Sequence, residues 1–363
     1  MIYNEIRRST HAVRVGNVQI GGNAPLAIQS MTNTDTHDVA ATLAQIRALE
    51  AAGCDVVRMT VPDVAAADSI FAIKEAGVGI PLVADIHFDY RVALACAERG
   101  VDKIRINPGN IGEDAHVRAV ADACRARGIP IRIGVNGGSL EKEILAKYGA
   151  PTAEALAESG LYHAALLQKC DFEDIVISIK SSDVQTMIAA NRILAEKTRY
   201  PLHLGVTEAG GEQMGSIKSA IGIGALLADG IGDTLRVSLT ADPVAEIAAA
   251  KRILSALSVE GQCGLNIVSC PTCGRTKIDL IALAARFEAA ARAEGLMDLP
   301  LRVALMGCAV NGPGEAREAD LGICGGSGEA LLIARGEILR KIPEEDVIPV
   351  LISELKKRKS GAT

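Results

Sequence analysis

The segment LVADIHFDYRVALACAERGVDKIRIN, residues 82–107, decides the fold because it holds two short apolar runs separated by an Ala-rich helical pattern. A strand, a helix and a second strand in this order predict a parallel βα unit. The unit recurs between Ala27 and Thr240, where eight runs rich in Val, Ile and Leu end in polar residues. These runs are AIQSMT (27–32), DVVRMT (55–60), LVADIH (82–87), DKIRIN (102–107), IRIGVN (131–136), DIVISIKSS (174–182), LHLGVTE (202–208) and TLRVSLT (234–240).

Eight such units predict an α/β protein with a closed (β/α)8 TIM barrel. The alternative is an open doubly wound sheet, which is disfavoured because no GxGxxG motif follows the first strand. Gly53, Gly100 and Gly128 stand where helices are predicted to end, as glycine commonly does. The segment VRVGNVQIGG (13–22) predicts a hairpin at the barrel floor, and DPVAEIAAAKRILSAL (242–257) predicts the last barrel helix.

Beyond about Val259 the pattern changes to that of a separate α+β domain. We therefore predict two domains, residues 1–260 and 261–363. The predicted elements of the second domain are an amphipathic helix (277–295), the strand LRVALMG (301–307), the turn NGPGEA (311–316), the strands LGICGG (321–326) and ALLIARGEILRKI (330–342), and a helix from near Pro343.

The composition excludes several classes of function. The 363 residues include no Trp, four Phe and five Tyr, and the net charge is −6. Nucleic-acid binding is disfavoured, because it needs a basic footprint or aromatic stacking platforms. No apolar run approaches the roughly 20 residues of a membrane helix, and the N-terminus MIYNEIRRST lacks the apolar region of a signal peptide. We therefore expect a cytoplasmic protein without membrane or nucleic-acid partners.

Polar side chains collect at the carboxyl ends of the predicted strands, where barrel active sites lie. Because a charge facing the helix layer is costly, the cationic residues of this set are expected to converge on the barrel mouth. Four Arg and one Lys there imply a strongly anionic ligand such as a phosphate. The candidates are Arg58, Asp85, His87, Arg105, Asn107, Arg132, Asn136, Lys180, Ser182, His203, Glu208, Arg236 and Ser238.

Two further features of the mouth stay open at this point. Arg–carboxylate pairs could account for the cations without a ligand, and Asp85 and Glu208 are either partners in such pairs or acid–base groups. The segment TEAGGEQMGS (207–216) offers backbone N–H groups near a helix start, where barrels often hold phosphate.

Seven of the nine cysteines fall into two groups. Apolar surroundings predict buried side chains for Cys54, Cys96, Cys124 and Cys170. Cys270-Pro-Thr-Cys273 and Cys308 instead lie in tight turns, where three thiolates can face one metal centre. Spacing alone leaves an iron–sulfur cluster, a zinc site and a redox dithiol open. The second domain has no His, so Cys263 or Cys324 would have to complete a zinc site, whereas an incomplete set of three suits a cluster with one exchangeable iron.

Six motifs carry a resemblance to the 4-hydroxy-3-methylbut-2-enyl diphosphate synthase family, the iron–sulfur reductases of the non-mevalonate isoprenoid pathway. The motifs are ADIHFDY (84–90), KIRINPGN (103–110), IRIGVNGGSL (131–140), HLGVTEAGG (203–211), SCPTCGRT (269–276) and MGCAVNGPGEA (306–316). The resemblance runs from about Arg7 to Arg340, and the length resembles that of the compact bacterial form.

The resemblance implies a TIM barrel followed by a small domain like that of sulfite and nitrite reductases. It implies a 4Fe–4S cluster on Cys270, Cys273, Cys308 and, as a fourth and catalytic ligand, Glu315. The substrate would be 2-C-methyl-D-erythritol 2,4-cyclodiphosphate, reduced by two electrons from flavodoxin or ferredoxin. A head-to-tail homodimer is implied as well, in which the cluster domain of one subunit closes the barrel of the other.

The same resemblance assigns roles to the mouth residues. The residues expected to hold the diphosphate are Arg58, Arg105, Arg132, Asn136, Lys180, Arg236 and Ser238. Glu208 is expected to donate a proton to the departing hydroxyl, and His87 to orient the substrate. Competing hypotheses are a non-redox barrel enzyme on a phosphorylated substrate with a structural zinc module, and an electron carrier or iron sensor without chemistry of its own.

Overall fold

The computed structural model describes residues 2–259, 264–310 and 312–361. They form two compact units, divided between Ile253 and Leu254. The strands of the first unit are β1 (Val13–Val15), β2 (Val18–Ile20), β3 (Ala27–Met31), β4 (Val56–Thr60), β5 (Leu82–Asp85), β6 (Lys103–Ile106), β7 (Ile131–Asn136), β8 (Ile175–Lys180), β9 (His203–Leu204) and β10 (Thr234–Leu235). Its helices are α1 (Ile2–Ile6), α2 (Val39–Ala51), α3 (Val64–Glu75), α4 (Tyr90–Glu98), α5 (Pro108–Ile111), α6 (Asp114–Arg127), α7 (Lys142–Tyr148), α8 (Ala153–Gln168), α9 (Val184–Lys197), α10 (Glu212–Ala228) and α11 (Pro243–Ala256).

Strands β3 to β10 form one parallel sheet in the order β8-β7-β6-β5-β4-β3-β10-β9. A parallel bridge between Ile177 of β8 and Leu202, next to β9, brings the two edges together. The predicted (β/α)8 barrel is thereby confirmed. The glycines expected at helix ends, Gly53, Gly100 and Gly128, all have positive φ.

Two barrel strands are much shorter than their apolar runs predict. Pairing in β9 and β10 covers two residues each, where seven-residue strands were expected. Beyond them the Arg236 N–H donates to the Leu204 carbonyl oxygen, 2.9 Å away, and continues the ladder between these two strands. The chain leaves regular pairing at Gly205, where an added Cβ would lie 2.6 Å from the Arg236 carbonyl oxygen. This close approach of two backbones needs glycine.

The pairing register places inward-facing side chains from alternate strands at common heights in the barrel. The lowest layer of four is Val56, Lys103, Val176 and Thr234. The second layer is Gln29, Val83, Arg132 and His203. The third layer is Arg58, Arg105, Ser178 and Arg236. Barrel layers are usually dominated by bulky branched apolar residues, so this interior is unusually polar.

The barrel floor is covered by the predicted hairpin, in which β1 and β2 pair antiparallel around Gly16 and Asn17. Val15 and Ile20 of the hairpin form one buried cluster with Val56, the first residue of β4, and Val83, the second residue of β5. The floor is thus apolar, and α11 is the last barrel helix, as expected. In the described part of the chain, no helix combines the length and apolar character that crossing a membrane requires.

The second unit is built on a five-stranded sheet in the order β11-β12-β13-β14-β15, parallel up to β13 and antiparallel beyond it. Its elements are β11 (Asn266–Ser269), α12 (Leu280–Ala293), β12 (Arg302–Met306), α13 (Gly312–Glu315), β13 (Leu321–Gly325), β14 (Glu329–Ala334), β15 (Glu337–Pro343) and α14 (Val347–Lys359). Phe287 of α12 and Leu351 of α14 pack on one face of the sheet with Val303 and Leu321.

Two expectations for this unit need correction. The final helix begins at Val347 rather than near Pro343, because a 3-10 turn over Glu344–Asp346 precedes it. The segment NGPGEA is not only a turn, since Gly312–Glu315 form one helical turn closed by the Ala316 N–H on the Gly312 carbonyl, 2.9 Å away.

Candidate functional site

A cavity of about 150 Å³ opens at the carboxyl ends of the barrel strands. Nine of the predicted mouth residues line it: Arg58, Asp85, His87, Arg105, Arg132, Asn136, Lys180, Arg236 and Ser238. Gly134, Ser178 and Thr207 complete the lining and were not singled out from the sequence. The predicted convergence of four Arg and one Lys on the mouth is confirmed.

Alternation along the strands brings these side chains together. Arg105 of β6 and Arg132 of β7 are register partners, and Asn136 of β7 pairs with Lys180 of β8. Because every second residue of a strand points inward, polar residues two apart in sequence share the barrel interior. The neighbouring residues of alternate parity, such as Ile104 and Ile133, are fully buried instead.

Gly134 gives Arg105 its place in the cavity. A Cβ on Gly134 would overlap the Arg105 guanidinium, at 2.6 Å from Nη2. We expect Gly134→Ala to push Arg105 off its 3.0 Å ion pair with Asp85 and to weaken pyrophosphate binding about tenfold, as loss of a charged hydrogen bond does. Isothermal titration calorimetry measures the affinity for pyrophosphate. Gly138→Ala is the matched control, because nothing lies within 4 Å of its Cβ position; equal affinities for the two variants would contradict the prediction.

Asp85 is the carboxylate of the cavity. Its Oδ1 lies 3.0 Å from Nη1 of Arg105, and its Oδ2 lies 3.7 Å from Nε of Arg58 and 3.9 Å from Nε2 of His87. Burial alone would raise the pKa of Asp85, but Arg58, Arg105 and Arg132 lower it to about 2. Asp85 is therefore ionised at neutral pH and offsets part of the cationic charge.

We expect Asp85→Asn to lower the free energy of unfolding of the ligand-free protein by about 2 kcal/mol at pH 7. The folded pKa lies below the ordinary value of 3.8, so this stabilisation is present above pH 3.8 and is lost as the pH falls towards about 2. Urea unfolding of both proteins at pH 7 and pH 3 measures the difference between their free energies of unfolding, which should be smaller at pH 3. An equal difference in the free energy of unfolding at the two pH values would refute the prediction. Asp68→Asn, which removes an exposed ion pair with Arg99, is the control.

A second carboxylate, Glu246 of α11, is only 2% exposed and was missed from the sequence. Its two oxygens accept from Nε and Nη2 of Arg236 at 3.0 and 2.9 Å, and it also accepts from Ser30 Oγ at 2.8 Å. Bidentate pairing of this kind fixes the Arg236 guanidinium at the cavity wall. The only signal in the sequence is one acidic residue within an otherwise apolar turn of the last barrel helix.

Arg132 and Lys180 carry the charge that these carboxylates leave uncompensated. Arg132 is 1% exposed, and its Nε and Nη2 have no hydrogen-bond partner among the described residues. Burial, followed by the charge of Arg58, lowers the pKa of both side chains well below their ordinary values. Such an arrangement is unfavourable until an anion enters, so the cavity is built for a ligand with several negative oxygens.

Four predicted mouth residues do not line the cavity. Asn107 is buried, and its amide donates to the Ser139 hydroxyl at 3.2 Å. His203 is fully buried in the second layer, beneath the cavity. Ser182 and Glu208 are exposed, and Glu208 has a φ of 52°. The acid role of Glu208 therefore stays a prediction.

In the second unit the sheet register brings the predicted cluster ligands to one edge. β11 and β12 are parallel, with Ser269 opposite Leu305, so the segments that follow them leave the sheet side by side. The Gly307 N–H donates to Cys270 Sγ at 3.2 Å. Hydrogen bonds from the backbone and side chain of Arg275 lower the pKa of the Cys273 thiol. The Arg275 donors favour the thiolate of Cys273, the form that binds metal.

Electrostatic interactions connect the four predicted ligands. Arg275 interacts with Cys273, Cys308 and Glu315. Cys324, a core residue of β13, interacts with Cys308, Cys270 and Glu315, and burial first of all raises the pKa of its thiol to about 12. Cys324 is therefore an unsuitable ligand. Cys54, Cys96, Cys124 and Cys170 are buried as predicted, and Cys263 lies outside the described residues.

Among the described residues, no three His, Cys, Asp or Glu side chains are arranged around a single metal ion. An iron–sulfur cluster makes a different demand, because each protein ligand binds its own iron and the ligands need not meet at one point. Three partly or fully exposed thiols with N–H and guanidinium donors around them fit such a cluster. The residues present therefore suit a cluster better than a closed zinc site.

Fold and sites together define a TIM-barrel protein with a cation-lined cavity at the barrel mouth and a separate cysteine-bearing unit. Residues 10–251 match the GcpE TIM-barrel domain, and residues 266–357 match the GcpE protein C-terminal domain. The chain belongs to the GcpE family.

Curated relatives agree with this membership over nearly the full length. The chain is 57% identical to a protein of Ruminiclostridium cellulolyticum over 349 residues, which cover 96% of this chain and 98% of that protein. It is 58% identical to one from Clostridium perfringens over 350 residues, 95% of this chain and 98% of that protein. Both relatives are 4-hydroxy-3-methylbut-2-en-1-yl diphosphate synthases (flavodoxin).

Proposed function

We propose that the chain converts 2-C-methyl-D-erythritol 2,4-cyclodiphosphate to 4-hydroxy-3-methylbut-2-enyl diphosphate, a step of isoprenoid biosynthesis. Two electrons and two protons enter, the ring opens at a carbon–oxygen bond to phosphate, and one hydroxyl leaves as water. The observation that carries the proposal is the cavity lined by five cationic side chains, of which only Arg58, Arg105 and Arg236 form ion pairs with carboxylates among the described residues. Family membership supports the identity of the anion.

The barrel residues bind and neutralise the diphosphate. Arg132 and Lys180 supply uncompensated charge, while Arg58, Arg105 and Arg236 are held in place by carboxylates or by the sulfur of Met31. Asn136, Ser238 and Thr207 add neutral hydrogen-bonding groups to the lining. Ring opening converts a bridging phosphate oxygen into a terminal, charged one. Fixed cations stabilise that developing charge without having to reorganise.

The second unit is proposed to hold a 4Fe–4S cluster on Cys270, Cys273, Cys308 and Glu315, in a domain of the sulfite and nitrite reductase type. When bound, such a cluster supplies the electrons of the reaction. Arg275 offsets the charge of the ligand set, with which it interacts electrostatically. Flavodoxin is the electron donor we propose, because the curated relatives are flavodoxin-dependent by name; ferredoxin is the alternative.

Proton delivery is assigned to Glu208. It directly follows Thr207, which lines the cavity, and its exposed side chain stands on a backbone of positive φ. A carboxylic acid at the rim can protonate a departing hydroxyl. His87 lies 3.9 Å from the Asp85 carboxylate, and we assign it an orienting role.

The assembly we propose is a head-to-tail homodimer. Each barrel helix returns the chain from the mouth to the floor, and α11 is the last to do so before the second unit begins. A cluster unit from a second copy would close the cavity at the mouth. Size-exclusion chromatography with light scattering tests this part, and a monomer at assay concentrations would contradict it.

Metal content separates the proposal from a non-redox barrel enzyme with a zinc module. Protein purified anaerobically should be brown and contain iron and acid-labile sulfide. A colourless protein with one zinc per chain would refute the cluster and with it the proposed reaction.

Glu315→Ala is expected to retain a cluster, because three thiolates remain, and to lose most turnover of the cyclodiphosphate with dithionite. The iron of an iron–sulfur cluster is soft and binds a carboxylate more weakly than it binds thiolates. Loss of the carboxylate therefore affects the reactivity of the cluster more than its retention. Iron content and product formation are measured together. Glu318→Ala is the matched control, since Glu318 is exposed and pairs with Arg302. Full activity of Glu315→Ala would remove Glu315 from the site.

A further inference from the structure

Beneath the cavity lies a buried cation that the proposed reaction does not use. Lys103 belongs to the lowest layer of the barrel and is fully buried. Its Nζ has no hydrogen-bond partner among the described residues. Strand alternation points Lys103 into the barrel, because Arg105, two residues later on β6, lines the cavity.

The groups that face Lys103 offer it no counter-charge in the described part of the chain. In its own layer stand Val56, Val176 and Thr234. In the layer above stand Gln29, Val83, Arg132 and His203. The hairpin below contributes Val15 and Ile20 to the floor cluster. The charged members, Arg132 and His203, carry the same sign as Lys103 when protonated.

Two carboxylates above and below these layers are already engaged. Asp85, higher in the cavity, pairs with Arg105 and Arg58. Asp233, at the floor end of β10, accepts from Arg7, Thr10 and the Leu202 N–H. Burial lowers the pKa of Lys103 well below its ordinary value, and the positive charges of Arg132 and Arg58 add smaller contributions in the same direction.

Several other polar atoms of these two layers also lack hydrogen-bond partners within the described residues. They are Nε2 and Oε1 of Gln29, Nε2 of His203, and Nε and Nη2 of Arg132. Buried polar groups without hydrogen bonds are costly, and apolar side chains would fill the same layers more stably. A polar layer of this kind indicates that something gained on ligand binding offsets the cost.

We propose that Lys103 is a positioning residue beneath the diphosphate site, which takes up a proton when a diphosphate fills the cavity and offsets its charge from below. This inference rests on the proposed function. A diphosphate above Arg132 favours the protonated ammonium, so Lys103 changes its charge with occupancy. The extra charge that ring opening adds to the diphosphate is then met by a cation already in place.

The test uses inorganic pyrophosphate and the full-length protein at pH 8. Isothermal titration in two buffers of different ionisation enthalpy gives the number of protons taken up on binding. We expect the wild type to take up protons, and Lys103→Met to take up fewer and to bind pyrophosphate roughly tenfold more weakly. Lys74→Met, which removes an exposed partner of Asp102, should match the wild type in both.

Thermal unfolding of the ligand-free proteins provides the second readout. Replacement of a buried amine, which has no hydrogen-bond partner among the described residues, by an apolar side chain should raise the midpoint of Lys103→Met by about 2 °C or more. A lower midpoint with unchanged proton uptake would mean that Lys103 is only structural. If the methionine variant does not fold, Lys103→Gln supplies the same comparison of protons and affinity.

The outcomes separate this inference from the proposed function. Pyrophosphate binding by Lys103→Met with wild-type affinity and proton uptake would overturn the role of Lys103 alone. A wild type that does not bind pyrophosphate would overturn the cavity as a diphosphate site, and this inference with it.

Discussion

Arg132→Met is expected to weaken binding of the cyclodiphosphate at least about a hundredfold, while the ligand-free protein stays as stable as the wild type or gains stability. Arg132 is 1% exposed, and two of its guanidinium nitrogens have no partner in the described part of the chain. Its charge is therefore balanced by the ligand, and truncation of one member of a buried charge pair costs several kcal/mol of binding. In the ligand-free protein, removal of an unpaired buried charge removes its unfavourable desolvation free energy, so the free energy of unfolding stays the same or rises.

Isothermal titration and urea unfolding measure the two effects separately. Arg192→Met is the control, since Arg192 lies on α9 and pairs with Asp229 at the surface. A variant that loses stability and keeps its affinity would show that Arg132 supports the barrel and does not bind the ligand.

Cys308→Ala is expected to abolish the cluster. We expect iron and sulfide after anaerobic reconstitution to fall below about a tenth of the wild-type content, with turnover lost in parallel, because two thiolates and a carboxylate do not hold a cubane. Cys324→Ala is the matched control in the same unit. Cys324 is fully buried in β13, and burial raises the pKa of its thiol.

The comparison also tests the fit of the ligand set. If Cys308→Ala keeps its iron and Cys324→Ala loses it, Cys324 of the core strand is the ligand and Cys308 is not. Visible absorbance of the two variants, recorded before exposure to air, gives the answer without an activity assay.

Strand alternation made most of the barrel and its mouth predictable from the sequence. Arg105 and Arg132 alternate with isoleucines along their strands, so their charges were expected in the barrel interior. The lengths of β9 and β10 were not predictable. Their pairing ends where Gly205 lets two backbones approach, and that constraint comes from closure of the barrel.

The parts of the site that sequence reasoning missed depend on tertiary neighbours. Glu246 looks like an ordinary helix residue until α11 places it against Arg236. Lys103 reads as one more polar strand residue until the register puts it in a closed layer without a counter-charge. Glu315 entered through the resemblance alone, because a carboxylate in a glycine-rich turn carries no metal signature of its own.

Turnover of the cyclodiphosphate decides whether the chain catalyses the proposed reaction. The wild-type protein, reconstituted anaerobically with iron and sulfide, is incubated with 2-C-methyl-D-erythritol 2,4-cyclodiphosphate and either reduced flavodoxin or dithionite, and the products are followed by phosphorus NMR and mass spectrometry. We predict one 4-hydroxy-3-methylbut-2-enyl diphosphate for every two electrons consumed, and no product from Arg132→Met or Cys308→Ala. A protein that carries its cluster and binds the cyclodiphosphate, yet returns it unchanged under both reductants, would contradict the account.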